Sequence, residues 1–136
     1  MGINSGSYSW NWANPEYTSY YTDETGNLHI VAWKDQTLYD ATCNSDLNVT
    51  NVTTVKLPLP LWGGFYAAPD GNFYVATGQK NLNEDNSITA VRILKYSRAW
   101  KLLGATDIGG GYTNMFEGIY IPFDAASLRM TQIGST

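Results

Sequence analysis

The chain has 136 residues, a formal net charge of -4, 43% hydrophobic and only 15% charged residues, with five Trp, ten Tyr and four Phe. This length supports one domain with a modest core, and the composition excludes a disordered tail, a coiled coil and a collagen. Eight basic residues without a Lys/Arg run exclude a phosphate-binding face, no apolar stretch reaches the roughly 20 residues of a membrane span, and the lone Cys43 excludes an internal disulfide.

The opening Met1-Gly2-Ile3-Asn4-Ser5-Gly6 has no positive n-region and no apolar h-region, so no secretory leader is expected. Tyr8-Ser9-Trp10-Asn11-Trp12 reads as an aromatic segment belonging to an incomplete unit. A repeat follows. Tyr20 to Val31 and Phe65 to Ala76, 45 residues apart, both read aromatic-aromatic, turn, Gly-Asn, then alternating large residues. Gly26 and Gly71 suit turn positions with positive φ, so each run is expected to form a hairpin. Thr37 to Thr42 and Asn48 to Leu57 are candidate strands around a Cys43-Asn44-Ser45-Asp46 turn. Leu57-Pro58-Leu59-Pro60-Leu61 is an extended connector, because each Pro removes a backbone donor. Ile88 to Tyr96 and Trp100 to Thr106 are strands around a tight Ser97-Arg98 turn. The approximate units are 17–61 and 62–107, each with four strands. A partial third unit, 108–136, has strand character at Glu117 to Pro122 and at Phe123 to Met130. Helix formers are sparse and β-branched and aromatic residues abundant, so the expected class is all-β.

The run Pro69-Asp70-Gly71-Asn72-Phe73-Tyr74-Val75 resembles the first hairpin of many β-propeller repeats, and Thr25-Gly26-Asn27-Leu28-His29-Ile30 resembles the same element one blade earlier. Phe123 to Met130 is similar to an inner-strand segment of large bacterial surface or secreted repeat proteins. The resemblance covers most of the chain. It implies a partial β-propeller with two four-stranded blade-like repeats plus incomplete terminal strands, and an extracellular or cell-surface parent protein. It brings no catalytic residue. Propellers close with about four to eight blades, so two units need closure. Part of a longer protein, several copies in one ring, or a small two-sheet sandwich would each provide it, and closure by oligomerisation is the expectation.

Candidate functional residues are few. His29 is the only histidine. Alternation puts it on the strand face of Val31, opposite Leu28 and Ile30, where a packing role is expected. One His and one Cys cannot build a conventional zinc site, and the loop Asn81-Leu82-Asn83-Glu84-Asp85-Asn86-Ser87 lacks the Gly of a calcium loop. No metal and no cofactor are expected. Asn48-Val49-Thr50 and Asn51-Val52-Thr53 match glycosylation sequons but read as polar strand residues. Trp33 and Trp100 are expected to pack between sheets. Trp10, Trp12 and Trp62, near unit borders, are candidate ligand contacts, since an indole can stack on a sugar or fill a partner's pocket. Asn83 and Asp85 of the expanded loop join them, as do Tyr112 and Asn114 after Gly109-Gly110-Gly111. No carboxylate pair is placed by linear spacing at the separation a glycosidase needs. The expectation is a non-enzymatic scaffold or interaction module that assembles with itself. A carbohydrate-binding propeller is the alternative, and a glycoside-cleaving or lyase domain ranks last. A glycan or protein partner is expected; nucleic acid and membrane insertion are not.

Overall fold

The computed structural model describes residues 17–109 and 122–123. Among these residues there is no helix, and hence none long and apolar enough to cross a membrane. Eight strands follow one another: β1 Thr18–Thr22, β2 Leu28–Lys34, β3 Thr37–Cys43, β4 Val49–Lys56, β5 Leu61–Ala67, β6 Phe73–Gly78, β7 Thr89–Tyr96 and β8 Leu102–Gly109. They form two antiparallel four-stranded sheets, ordered β1-β2-β3-β4 and β5-β6-β7-β8. Short connections force each strand to pair with its neighbour in sequence. The all-β expectation with four strands per unit holds. The residues before Tyr17, with Trp10 and Trp12, lie outside the described residues, as does the partial third unit apart from the end of β8 and Pro122–Phe123.

Alternation gives each sheet two faces. On the first sheet Tyr21 pairs with His29, Val31 with Asp40, and Trp33 with Leu38, all on the inner face. On the second sheet Phe65 pairs with Val75 and Ala67 with Phe73, while Val75 opposes Leu94. These two faces meet in one core. Val31, Leu38, Leu57, Trp62, Phe73, Val75, Leu94 and Tyr96 are buried together. Phe73 lies at its centre, fully buried. Its ring is 4.4 Å from Trp100, 4.8 Å from Tyr21 and 5.2 Å from Phe65, centroid to centroid. Trp33 stacks on Trp62 across the sheets at 6.2 Å. The connector between the sheets turns Leu57 and Leu59 inward and leaves Pro58 and Pro60 exposed.

The second sheet repeats the register of the first and its one bulge, and adds bulges of its own at Trp62/Gly64 and Thr89/Val91. Tyr20 pairs with Ile30 as Phe65 pairs with Val75, and Thr22 with Leu28 as Ala67 with Phe73. The β1–β2 and β5–β6 turns share their hydrogen bonds, with Gly26 N–H to Asp23 O and Gly71 N–H to Ala68 O. Both glycines stand at positive φ, 88° and 83°, as the sequence requires. After β6 the offset grows from 45 to 53 residues, because Gln79–Ile88 replaces a two-residue turn at Asp35–Gln36. Beyond that loop the agreement resumes. A bulge interrupts β3–β4 at Thr42/Cys43 and β7–β8 at Lys95/Tyr96. Leu47 N–H bonds Asn44 O, and Trp100 N–H bonds Ser97 O, each at 2.9 Å.

Two expectations are corrected here. The β7–β8 turn is not a tight Ser97-Arg98 pair: it extends to Lys101, and Trp100 lies within it at φ 60° instead of opening β8. That conformation is costly for a bulky residue, and it turns the indole into the core. Phe123 was expected in an inner strand; it stands instead in a turn at φ 65°. Its ring lies against its own second sheet, where a Cβ on Gly63 or Gly78 would strike it.

Candidate functional site

The four hairpin turns β1–β2, β3–β4, β5–β6 and β7–β8 lie at one end of the sheets. Between the β1–β2, β5–β6 and β7–β8 turns opens a cleft of about 580 Å³ lined by Tyr21, Asp23, Glu24, His29, Pro69 and Arg98, among others. Its floor is a polar network on the seam between the sheets. Asp40, 4% exposed, receives three donors. The Tyr21 hydroxyl and the Trp100 indole N–H donate to Oδ2, each at 2.7 Å, and His29 Nδ1 is 2.7 Å from Oδ1. The Trp100 bond crosses from one sheet to the other. The second ring nitrogen of His29, Nε2, is 2.9 Å from Asp23 Oδ2. Asp23 is fixed in turn by the backbone N–H groups of Thr25 and Asn27 and by the Thr25 hydroxyl.

These residues converge for local reasons. Tyr21 and His29 are register partners, and their rings stack at 4.5 Å. Asp23 opens the turn that joins their strands, and its carboxylate satisfies the turn's own N–H groups. Asp40 sits two register positions from His29 on the same face. Arg98 reaches in from the β7–β8 turn. Its guanidinium lies over the Tyr21 and Phe73 rings, 5.4 and 4.7 Å from their centroids, and donates to Ala68 O at 3.1 Å.

The electrostatics follow. Burial alone would lower the His29 pKa, but hydrogen bonds to Asp23 and Asp40, with their charges, outweigh it and raise the pKa. With a carboxylate at each nitrogen, the ring is an imidazolium donating in both directions. The hydrogen bond from His29, followed by that from Thr25, holds the Asp23 carboxyl well below the ordinary carboxylate range. Burial, then the bond to Asp40, raises the Tyr21 hydroxyl far above the usual tyrosine pKa and keeps it a donor.

A pH dependence results. The stability contributed by His29, whose folded pKa is raised, is complete below about pH 6.5 and is lost as pH rises through the folded value. The contribution of Asp23, whose folded pKa is lowered, is present above about pH 4 and is lost as pH falls through the folded value. The urea midpoint should therefore be highest between roughly pH 4 and 6.5 and fall on the alkaline side. In His29→Gln the alkaline fall should disappear. An unchanged alkaline slope in that variant would contradict the double clamp.

The network has little catalytic capacity. A general base needs a free lone pair near its substrate's proton, and both His29 nitrogens face carboxylates. Among the described residues no group of His, Cys, Asp and Glu is arranged to hold a metal ion. Cys43, expected to open the Cys43-Asn44-Ser45-Asp46 turn, is instead the buried last residue of β3.

The residues singled out from sequence are not brought together. Trp62 is 5% exposed and stacks on Trp33; it belongs to the core and not to a rim. Asn83 and Asp85 are exposed in the β6–β7 loop, at the end opposite the cleft. Asn81 closes that loop by bonding both N–H and C=O of Asp85, and Asp85 receives the Ser87 N–H and hydroxyl. Trp10, Trp12, Tyr112 and Asn114 lie outside the described residues. Trp33 and Trp100 pack between the sheets as expected, and His29 shares its face with Val31 as alternation requires. Missed were Tyr21, Asp23, Asp40 and Arg98. The only sequence signal was the alternation that puts Tyr21, His29, Val31 and Asp40 on one face. Comparison with protein-family models, with characterised proteins and with solved structures finds no match.

Proposed function

We propose that this protein is a non-enzymatic scaffold or interaction module of the β-propeller type, which closes its sheets by assembling with itself. The observation that carries this reading is the use made of the seam. Asp23, His29, Asp40 and Tyr21 form a chain of hydrogen bonds on the first sheet, and Trp100 of the second sheet ties it across the seam by its bond to Asp40. Side chains in such a network hold units together and are not free to turn over a substrate. Sheets that use a neighbouring sheet as the other half of their core are the building principle of propellers, and the repeated register and turns support that architecture. A carbohydrate-binding propeller is the second reading; it is favoured by the exposed amide-rich β6–β7 loop.

Absolute mass by light scattering on a size-exclusion column tests the proposal. A discrete dimer or trimer of the 15.1 kDa chain is expected. A monomer at all concentrations would overturn self-assembly and favour a self-contained two-sheet sandwich. Binding across a broad glycan array, lost on Asp85→Ala, would displace the scaffold reading by the second one.

A further inference from the structure

The two arginines among the described residues are treated differently. Arg92 meets the Asp107 carboxylate with both Nε and Nη2. Arg98 lines the cleft, and its one hydrogen bond within the described residues is that to Ala68 O. No carboxylate pairs with it there. The turn that carries it does not require an arginine. In the first sheet Ser45 stands at the equivalent position, and the β3–β4 turn closes with the same bond, Leu47 N–H to Asn44 O, as Trp100 N–H to Ser97 O. Cover for the Phe73 ring does not require a charge either. A planar guanidinium with unpaired N–H groups is the side chain suited to gripping a carboxylate by two parallel bonds. Held over the Tyr21 and Phe73 rings and tied to Ala68 O, it has already given up much of the freedom that binding would remove.

The two lips of the cleft are unlike. Glu24 and Pro69 hold the same position in the β1–β2 and β5–β6 turns, 45 residues apart, and both line the cleft. The Pro69 lip is uncharged. On the other lip the Asp23 carboxylate is already engaged by Thr25, Asn27 and His29. The exposed Glu24 carboxylate has no hydrogen bond or ion pair within the described residues. The walls thus present one unpaired cation, one unpaired anion and an apolar corner. A dianion such as phosphate would meet Arg98 but also the charges of Asp23 and Glu24. A ligand carrying both signs matches both lips. The volume of about 580 Å³ lies in the range of small-molecule sites.

We propose that this cleft binds a small zwitterion of the amino-acid type, a free amino acid or a short peptide. The ligand's carboxylate sits on the Arg98 fork, its ammonium group lies on the Glu24 side, and its side chain packs against Pro69. This function is additional to the scaffold role. The site lies within one chain and does not depend on assembly.

The experiment is isothermal titration calorimetry of the full chain with leucine, phenylalanine, leucyl-leucine and leucyl-phenylalanine, each also as its N-acetyl and its C-terminal amide form, and with inorganic phosphate. At least one zwitterion should bind, and its acetylated and amidated forms should bind more weakly. Arg98→Gln should weaken binding about 10–100-fold, as for loss of charge-assisted bonds. Glu24→Gln should weaken it about 2–5-fold, as for an exposed charge pair, and should erase the difference between the free and the N-acetylated ligand. Arg92→Gln, away from the cleft, should bind as the wild type does. Near-ultraviolet circular dichroism reports that each variant is folded. If Arg98→Gln is not, Arg98→Lys, which keeps the charge and loses the fork, takes its place. No binding of any zwitterion at millimolar concentration overturns the proposal. Binding that survives the change at Arg98 places the ligand elsewhere and overturns it too. Phosphate binding more tightly than every zwitterion, or indifference to N-acetylation, overturns the two-signed ligand. None of these outcomes bears on the mass in solution, which tests self-assembly separately.

Discussion

Replacing Asp40 by Ala should destabilise the protein by about 3–5 kcal/mol, the range for breaking a buried charge network at one partner. The physical reason is the number of donors that would lose their acceptor at once. Tyr21, His29 and Trp100 all direct hydrogens at this one carboxylate, and Asp40 is buried, so water cannot freely replace it. The imidazolium of His29 would keep Asp23 as its one carboxylate partner, and the indole N–H of Trp100 would be left without its cross-sheet partner. Urea unfolding at pH 6, read by tryptophan fluorescence, measures the loss. Asp107→Ala is the control, because its pair with Arg92 is solvent-exposed and surface pairs contribute little. Equal small effects in the two variants would show that the seam is not held by its polar network.

Phe73→Ala should cost a comparable amount, roughly 3–5 kcal/mol, as for other large aromatic truncations in cores. Phe73 is fully buried and contacts Tyr21 and the Arg98 guanidinium as well as Phe65 and Trp100. Its removal opens a cavity shared by both sheets, so neither can relax into it alone. Domains of this size are stable by only about 5–15 kcal/mol, so the loss takes a large share of the total. The thermal midpoint and the near-ultraviolet circular dichroism of the indoles should fall together. A variant with the wild-type midpoint would place the centre of the core elsewhere.

The sheets were legible because their signals are local. Gly26 and Gly71 punctuate turns, β-branched residues fill β4 and alternate through β7, and the 45-residue offset survives in the register of β1–β2 and β5–β6. The β7–β8 turn was not legible, since no Gly marks it and Trp100 takes a conformation that its side chain disfavours; the packing of its indole against Phe73 and its bond to Asp40 outweigh the local cost. The seam network was legible in part. His29 could be placed beside Val31 by alternation, but its partners come from 6 and 11 residues away along the chain and the indole from 60 residues beyond Asp40. No linear spacing carries that association. Trp62 was misplaced by its position at a unit border, because a border between units in sequence is, in space, the place where the two sheets meet.

The clamping of the lone histidine has a spectroscopic consequence. With a single imidazole in the chain, both of its ring protons are held in short bonds to carboxylates and should resonate far downfield, clear of every amide. The Nδ1 proton faces Asp40, which is buried and bonded across the seam to Trp100, so its exchange reports opening between the sheets, whereas the Nε2 proton, bonded within the first sheet to the part-exposed Asp23, exchanges from the cleft. One proton, without any label or mutation, thus serves as a clock for the separation of the two halves of this molecule, with the other proton of the same ring as its reference.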